Sequence, residues 1–263
     1  LRYADDWKNI IPRIGRFVDM ENAYKTMDSS YTESIWWVFK TLYDKGLVYL
    51  GHKSMHICPR CETTLANFEV SQGYKDITDI SITAKFELQD ESKTYVLAWT
   101  TTPWTLPGNV ALAVGENIDY VKIRVVGGDN LILAKERLSV ISEEYEVVEE
   151  FKGSALVGKS YRPLYSYYSD KEDLDNRSNG WKIYSANFVT TVDGVGVVHI
   201  APAFGDDDMK LGREKKLPFV QHVGMDGCFT SLVSDFSGTQ VKPKEDHQST
   251  DILIIKDLAK RGL

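Results

Sequence analysis

The sequence predicts an α+β fold: a β-rich, barrel-like or sandwiched sheet with peripheral helices, preceded by a helical N-terminal piece. Three observations point there. From Thr63 onward, short apolar or alternating runs at residues 68–70, 80–88, 95–99, 110–114, 120–126 and 131–134 are separated by turn residues, the rhythm of many short strands in one sheet. Apolar residues return instead at helical spacing over residues 33–45 and near the C-terminus. A length of 263 residues with 43% hydrophobic content can bury a sizeable core, in one large domain or in two.

Residues 1–31 mix charge with Trp7, Ile10, Ile11, Ile14 and Phe17, and Pro12 interrupts any single long helix. From Tyr31 the pattern sharpens. Thr32 can cap, Glu33 and Ser34 open a first turn, and Ile35, Trp36, Phe39, Leu42 and Tyr43 form one apolar face until Gly46 stops the helix. Such a face is expected to pack into a core. Cys58 and Cys61 have the two-residue spacing of a zinc knuckle, whose thiolates reach the ion at about 2.3 Å. Structural zinc wants four ligands, and His52, His56, His222, His247 and Cys228 are scattered without ligand spacing. The expectation is half of a zinc site, with no metal held here.

Among the sheet runs, Gly127, Gly128, Asp129 and Asn130 make a hairpin turn. Residues 135–142 read as a short outer helix, residues 145–151 as a strand, and the charged stretch 170–180 as a surface loop. Near the C-terminus, Ser249 or Thr250 can cap a helix whose buried side is Ile252, Leu253, Ile255, Leu258 and Ala259.

Composition excludes several classes. No apolar run reaches the length of a membrane span, and Leu1-Arg-Tyr-Ala-Asp-Asp lacks the layout of a signal peptide, so a soluble protein is expected. Three cysteines, two of them in one Cys58-Pro-Arg-Cys61 unit, fit a reducing cytosol better than a disulfide framework. A net charge of -7 argues against a free-standing nucleic-acid binder, because non-specific affinity comes from cations that neutralise phosphates. Neither end carries a boundary signal, which is expected of a piece of a longer protein.

Two stretches carry chemistry. Trp99 to Asn109 reads Trp-Thr-Thr-Thr-Pro-Trp-Thr-Leu-Pro-Gly-Asn and follows the apolar run Tyr95, Val96, Leu97, Ala98. Pro103 and Pro107 cannot donate to a sheet ladder, so the strand stops and leaves the hydroxyls of Thr100, Thr101, Thr102 and Thr105 at a core edge. On residue preference alone these are ordinary strand residues between two tryptophan core anchors. The second stretch begins at Asp193 and runs Gly-Val-Gly-Val-Val-His-Ile-Ala-Pro-Ala-Phe-Gly-Asp-Asp-Asp. Gly194 and Gly196 permit close backbone approach, Val195, Val197, Val198 and Ile200 make a buried strand, and His199 interrupts it. Taken alone, His199 is a hydrogen-bonded core residue, and Asp206, Asp207 and Asp208 cap the next helix.

Together, however, the two stretches resemble the paired editing signatures of the isoleucyl-tRNA synthetases. The segment Gly15-Arg-Phe-Val-Asp-Met-Glu-Asn-Ala-Tyr-Lys-Thr-Met-Asp is similar to the part of their catalytic domain that precedes the inserted editing domain. The resemblance implies residues 1–50 as a fragment of the catalytic domain, 51–76 as a Cys-x-x-Cys connector and 77–263 as a barrel-like editing domain. It implies hydrolysis of valyl-tRNA(Ile) by a positioned water, since an aminoacyl ester is already reactive and no nucleophile elbow is present. Thr101, Thr102 and Asp208 fall on catalytic positions. Trp99, Thr100, Thr105, Asn109, His199 and Asp207 fall on substrate-binding ones.

A carboxylate is needed to hold the ammonium group of the ester. Asp206 is an extra acid and Met209 stands where an aromatic residue is usual, so Asp207 and Asp208 both remain candidates. His199 falls on the residue that keeps isoleucine from fitting productively, the logic of a second sieve where one methylene gives too little discrimination. Editing for a valyl or leucyl enzyme, or a non-catalytic tRNA-positioning module, are the alternatives. No His-Ile-Gly-His or Lys-Met-Ser-Lys-Ser signature is present, so no ATP-dependent activation is expected of this chain. The implied partners are the valine-carrying 3′ end of tRNA(Ile) and the rest of a cytoplasmic synthetase, with the piece alone a monomer and no membrane involved. Editing needs no cofactor, and a complete zinc site is an expectation for the full-length enzyme only.

Overall fold

The computed structural model describes residues 2–263, with Leu1 outside them, and the chain divides into two units, Leu1–His52 and Lys53–Leu263. The first holds α1 (Arg2–Arg13), which reaches one residue beyond Pro12, and α2 (Ser29–Asp44). Helix α2 begins earlier than the expected residue 33. Thr32 lies inside it, with its backbone N–H bonded to the Asp28 carbonyl, so it is no cap. Gly46, at φ +69°, takes the left-handed turn that ends the helix. The expected core packing of its aromatic face is not found: Trp36, Trp37, Phe39 and Tyr43 are all more than half exposed, and no residue of α2 is buried.

The second unit opens with a hairpin of β1 (Ile57–Cys58) and β2 (Thr63–Thr64), followed by α3 (Asn67–Ser71). Residues 68–70 are therefore helical and not a strand; the Glu69 carboxylate accepts the Ala66 N–H at 2.7 Å and nucleates the turn. Then come β3 (Ile82–Glu87), β4 (Thr94–Thr100), β5 (Ala111–Val114), β6 (Asp119–Val125), β7 (Asn130–Ala134) and β8 (Tyr145–Lys152). The short β9 (Lys182–Ser185), which no pattern marked, precedes β10 (Val197–Ile200), α4 (Asp206–Lys215) and α5 (Ser249–Lys260). The outer helix expected at 135–142 is a 3₁₀ turn, Lys135–Val140, and residues 170–180 are a loop with a short 3₁₀ turn. Among the described residues no helix is long and apolar enough to cross a membrane.

Strand β4 is where the sheet forks. Along one edge it pairs with β3 over its length; along the other its first half pairs with β7 and its last with β10, both parallel. One branch continues through β7, β6 and β8, the other through β10, β5 and β9. The second branch curls round on itself. Residues 160–162 bridge β9 to β3: Ser160 pairs with Lys182, Leu88 with Tyr161, and the Arg162 N–H donates to the Glu87 carbonyl at 2.8 Å. Closure satisfies strand edges that would otherwise stay open.

The period-two alternation of β4 serves both branches. Val96 and Ala98 enter the main core with Phe86, Leu112, Tyr161 and Ile183, while Leu97 joins Val121, Ile123, Leu131, Leu133 and Val195 in a second cluster. Phe86 and Tyr161 meet edge to face at 5.3 Å, and burying a ring such as Phe86 stabilises by roughly 1.5–3 kcal/mol. Helix α5 buries Thr250, Asp251, Ile254 and Leu258, whereas Leu253 and Ala259, expected inside, are exposed. A buried acid, which hydrophobic patterning cannot anticipate, sets its rotation.

Candidate active site

Because β4 and β10 are parallel neighbours, their carboxyl ends emerge side by side. Thr100 ends one and Ile200 the other, and the Val110 N–H donates to the Ile200 carbonyl at 3.0 Å. Both signature stretches thus reach one edge of the barrel. After Thr100 the chain enters a 3₁₀ turn, Pro103–Gly108, in which two prolines supply no N–H.

The hydroxyls form a chain. Thr100 Oγ1 accepts the Thr102 N–H at 3.1 Å and lies 3.2 Å from Thr102 Oγ1, which is 3.3 Å from Thr105 Oγ1. The Thr105 hydroxyl donates to the Thr102 carbonyl at 2.7 Å, so towards His199 Nε2, also at 2.7 Å, it can only accept. His199 therefore carries its proton on Nε2. Its Nδ1, 3.3 Å from Asn109 Nδ2, is the acceptor, and the same amide nitrogen donates to the Ala111 carbonyl at 2.9 Å. Tyr161, wholly buried, donates its hydroxyl to Asn109 Oδ1 at 2.7 Å and fixes the amide from the other side. Burial, with a smaller push from His222, lowers the His199 pKa to about 4. At neutral pH this is a neutral N–H donor with every partner satisfied, and no general base.

Of the acids, Asp206 and Asp207 are exposed and pair with Lys210 at 2.9 and 3.0 Å. Asp208 is different. Its Oδ2 accepts the Ala201 N–H at 2.8 Å, two residues past His199, and burial, then the neighbouring Asp207 charge, raise its pKa to about 6. This desolvated carboxylate, on the first turn of α4 and bonded to the peptide N–H just past β10, is the better candidate for an ammonium ligand.

Thr100, Thr102, Thr105, Asn109 and His199 are brought together, and Thr101 sits exposed one residue past the strand. Trp99 is not with them. It points to the opposite face of β4, packs on the second cluster, and lies where a side chain on Gly194 would have to go, 3.0 Å from its ring. Strand alternation turns Trp99, given a substrate-binding position by the resemblance, away from the face that carries Thr100. Trp104 lies on the other side of the turn, edge to face with Phe204 at 5.2 Å.

The motifs did not point to Tyr161, His222 or Asp251. His222 Nε2 donates to the Trp104 carbonyl at 3.0 Å, and its Nδ1 fills the space beside Gly108, where a Cβ would come within 2.1 Å. Asp251 accepts the Trp104 N–H at 2.9 Å. No local pattern marks such partners, which lie 52 to 147 residues from the groups they hold.

At the knuckle, backbone N–H groups of Cys61 and Arg60 hold the Cys58 thiol below its usual range, while the bond to Cys58 raises Cys61. Among the described residues no group of three or more His, Cys, Asp or Glu is placed to hold a metal ion.

The family model of the tRNA synthetases class I (I, L, M and V) matches residues 1–252, and the chain belongs to that family. Within it, the chain is similar to isoleucine–tRNA ligases. It is 45% identical to that of Bdellovibrio bacteriovorus over 99% of this chain and 24% of the relative, and 45% identical to that of Clostridium acetobutylicum over 91% and 22%. It is 41% identical to a probable cytoplasmic isoleucine–tRNA ligase of Dictyostelium discoideum over 97% and 25%. The chain spans about a quarter of the length of these relatives. Among solved structures, it is similar to leucyl-tRNA synthetase editing domains from P. knowlesi and P. falciparum. The first has a TM-score of 0.39 at 13% identity, covering 55% of this chain and 66% of that one; the second has 0.35 at 14%, covering 47% of each.

Proposed function

We propose that residues 77–263 are the editing domain of a cytoplasmic isoleucine–tRNA ligase, joined through the connector at residues 51–76, and that this domain hydrolyses valyl-tRNA(Ile) by a positioned water. Residues 1–50 belong, on this reading, to the neighbouring catalytic domain, and the rest of the synthetase supplies most of the grip on tRNA that a net charge of -7 cannot. The observation that carries the reading is the meeting of the threonine chain with neutral, immobilised His199 at the same barrel edge as Asp208.

Asp208 receives the ammonium of the aminoacyl group, which matches its desolvated charge. Thr100, Thr102 and Thr105 hold the terminal ribose and ester, and Thr101 and Thr102 position the water. A water set in place near an activated ester needs little more than orientation to react. His199, fixed from both ring nitrogens, forms a stiff wall that meets the side chain of the acyl group; a rigid wall discriminates against one added methylene more sharply than one that can yield.

Deacylation of valyl-tRNA(Ile) and isoleucyl-tRNA(Ile), with the parent chain beside Asp208→Ala, tests this. Selective loss of the valyl ester, abolished by the substitution, is expected. Equal hydrolysis of both esters, or undiminished activity in an Asp208→Ala, His199→Ala double variant, would overturn the assignment.

A further inference from the structure

In the 3₁₀ turn that carries Thr105, Pro103 and Pro107 contribute no backbone donor, and at its two ends the Thr105 N–H bonds the Thr102 carbonyl and the Asn109 N–H the Leu106 carbonyl. Thr105 accepts the hydrogen bond from His199 Nε2 at 2.7 Å. What fixes it comes from the other end of the chain. The N–H of Trp104, immediately before Thr105, donates to Asp251 Oδ1 at 2.9 Å, and the carbonyl of the same residue accepts from His222 Nε2 at 3.0 Å. The peptide groups on both sides of Trp104 are thereby clamped.

The clamp is itself anchored. Asp251 is wholly buried on α5, and its Oδ2 meets Lys242 at 2.7 Å; Lys242 also pairs with Asp79 at 2.6 Å, on the segment that leads into β3. His247 and Gln248 both donate to the Thr78 carbonyl, at 3.0 and 2.9 Å, and tie the same segment down. A buried carboxylate with one oxygen on a backbone N–H and the other on an ammonium has no freedom to rotate. Such a group locates its partner more tightly than a neutral bond does. His222 is wedged between Phe204 and Phe229, with ring centroids 4.6 and 5.8 Å away, against a glycine that leaves no slack.

We propose that Asp251 and His222 are positioning residues of the editing site, which hold the Trp104 peptides so that Thr105 stays in contact with His199 and so set discrimination between the valyl and isoleucyl esters. This rests on the editing reading above for its substrate, though not for its geometry. Neither residue touches the ester. Asp251 acts through the Trp104 N–H, with the Asp79–Lys242 pair as its brace, and the C-terminal helix thereby becomes part of the selectivity device.

The test compares the parent chain with Asp251→Ala and Asp251→Asn, by NMR of the Trp104 amide and the His199 imidazole and by deacylation of the two esters. Lys242 keeps Asp79 in both variants, so no orphaned cation confuses the result. Asparagine still offers an oxygen to the Trp104 N–H; alanine does not. In Asp251→Ala the Trp104 amide proton should move upfield and exchange faster, and the His199 Nε2 resonance should shift. The valyl-to-isoleucyl rate ratio should fall about tenfold, the size of one lost bond to a charged group. Asp251→Asn should restore the amide and most of the ratio.

An unchanged Trp104 amide and His199 resonance in Asp251→Ala would overturn the proposal. So would a lowered melting temperature with the ratio intact, or an equal fall of the ratio in both variants. If the parent chain hydrolyses neither ester, the same variants are assayed in the intact synthetase, where equal hydrolysis of both esters by the parent overturns the editing reading, and the NMR signals of this chain decide whether the clamp exists.

Discussion

Replacing Asp208 by asparagine should make this protein more stable at neutral pH while removing the proposed hydrolysis of the valyl ester. Burial and the adjacent Asp207 raise the Asp208 carboxyl from an ordinary 3.8 to about 6. At about 1.36 kcal/mol per unit, the ionised form then costs the fold about 3 kcal/mol above pH 6. The sign follows from linkage: an acid whose folded pKa lies above its unfolded one penalises the native state at high pH. The penalty vanishes as pH falls through 6 towards 3.8. Asparagine keeps an oxygen for the Ala201 N–H and removes the charge, but still buries a polar amide, so a net gain of about 1–3 kcal/mol at pH 7.5 is expected. Urea unfolding of parent and Asp208→Asn at pH 7.5 and pH 4 measures it. The advantage should be present at the first pH and gone at the second, and valyl-ester hydrolysis should be lost in the same variant. A variant destabilised equally at both pH values would refute the reasoning, because it would mean the carboxylate is held by favourable contacts and is not strained in wait for a cation.

The same titration shapes the rate. Hydrolysis of the valyl ester, corrected for spontaneous loss, should rise as pH passes through about 6 and Asp208 ionises, and His199, neutral above about 4, should add no second limb between pH 5 and 8; a limb near 7 that disappears in His199→Ala would restore a base role to the histidine. Gly108→Ala places a methyl group 2.1 Å from His222 Nδ1 and should cost about 1–3 kcal/mol in unfolding free energy by overpacking a buried ring. Parent-like stability would show that the ring is free to move away and does not clamp the turn.

Alternation over residues 95–99 and 120–126 marked β4 and β6 within a residue of their ends, and Gly127 gave the hairpin into β7. Such local signals failed where local preference and tertiary packing compete. Residues 68–70 are apolar and short enough for a strand, yet Glu69 turns them into a helix. Helix α5 buries Asp251 in place of Leu253, because an acid with a lysine and a backbone N–H to meet is accommodated inside, whereas period alone sends every acid to water. The aromatic face of α2 has the pattern of core, yet Trp36, Trp37, Phe39 and Tyr43 are exposed, since hydrophobic patterning records that a surface wants a partner but not where the partner lies.

From the sequence by itself came the α+β class, the two signature stretches, and the residue types gathered in them: threonines after a strand, a histidine inside one, acids at a helix start. Only the tertiary structure decided that β4 and β10 run parallel and adjacent, that residues 160–162 close the barrel, and that Tyr161 and Asp251 hold the site from afar. The physical reason is range. Side-chain periodicity and turn chemistry act over a few residues and are written in the order of the chain, whereas strand partners and buried polar bonds are chosen by which distant groups can be satisfied together once the core has formed.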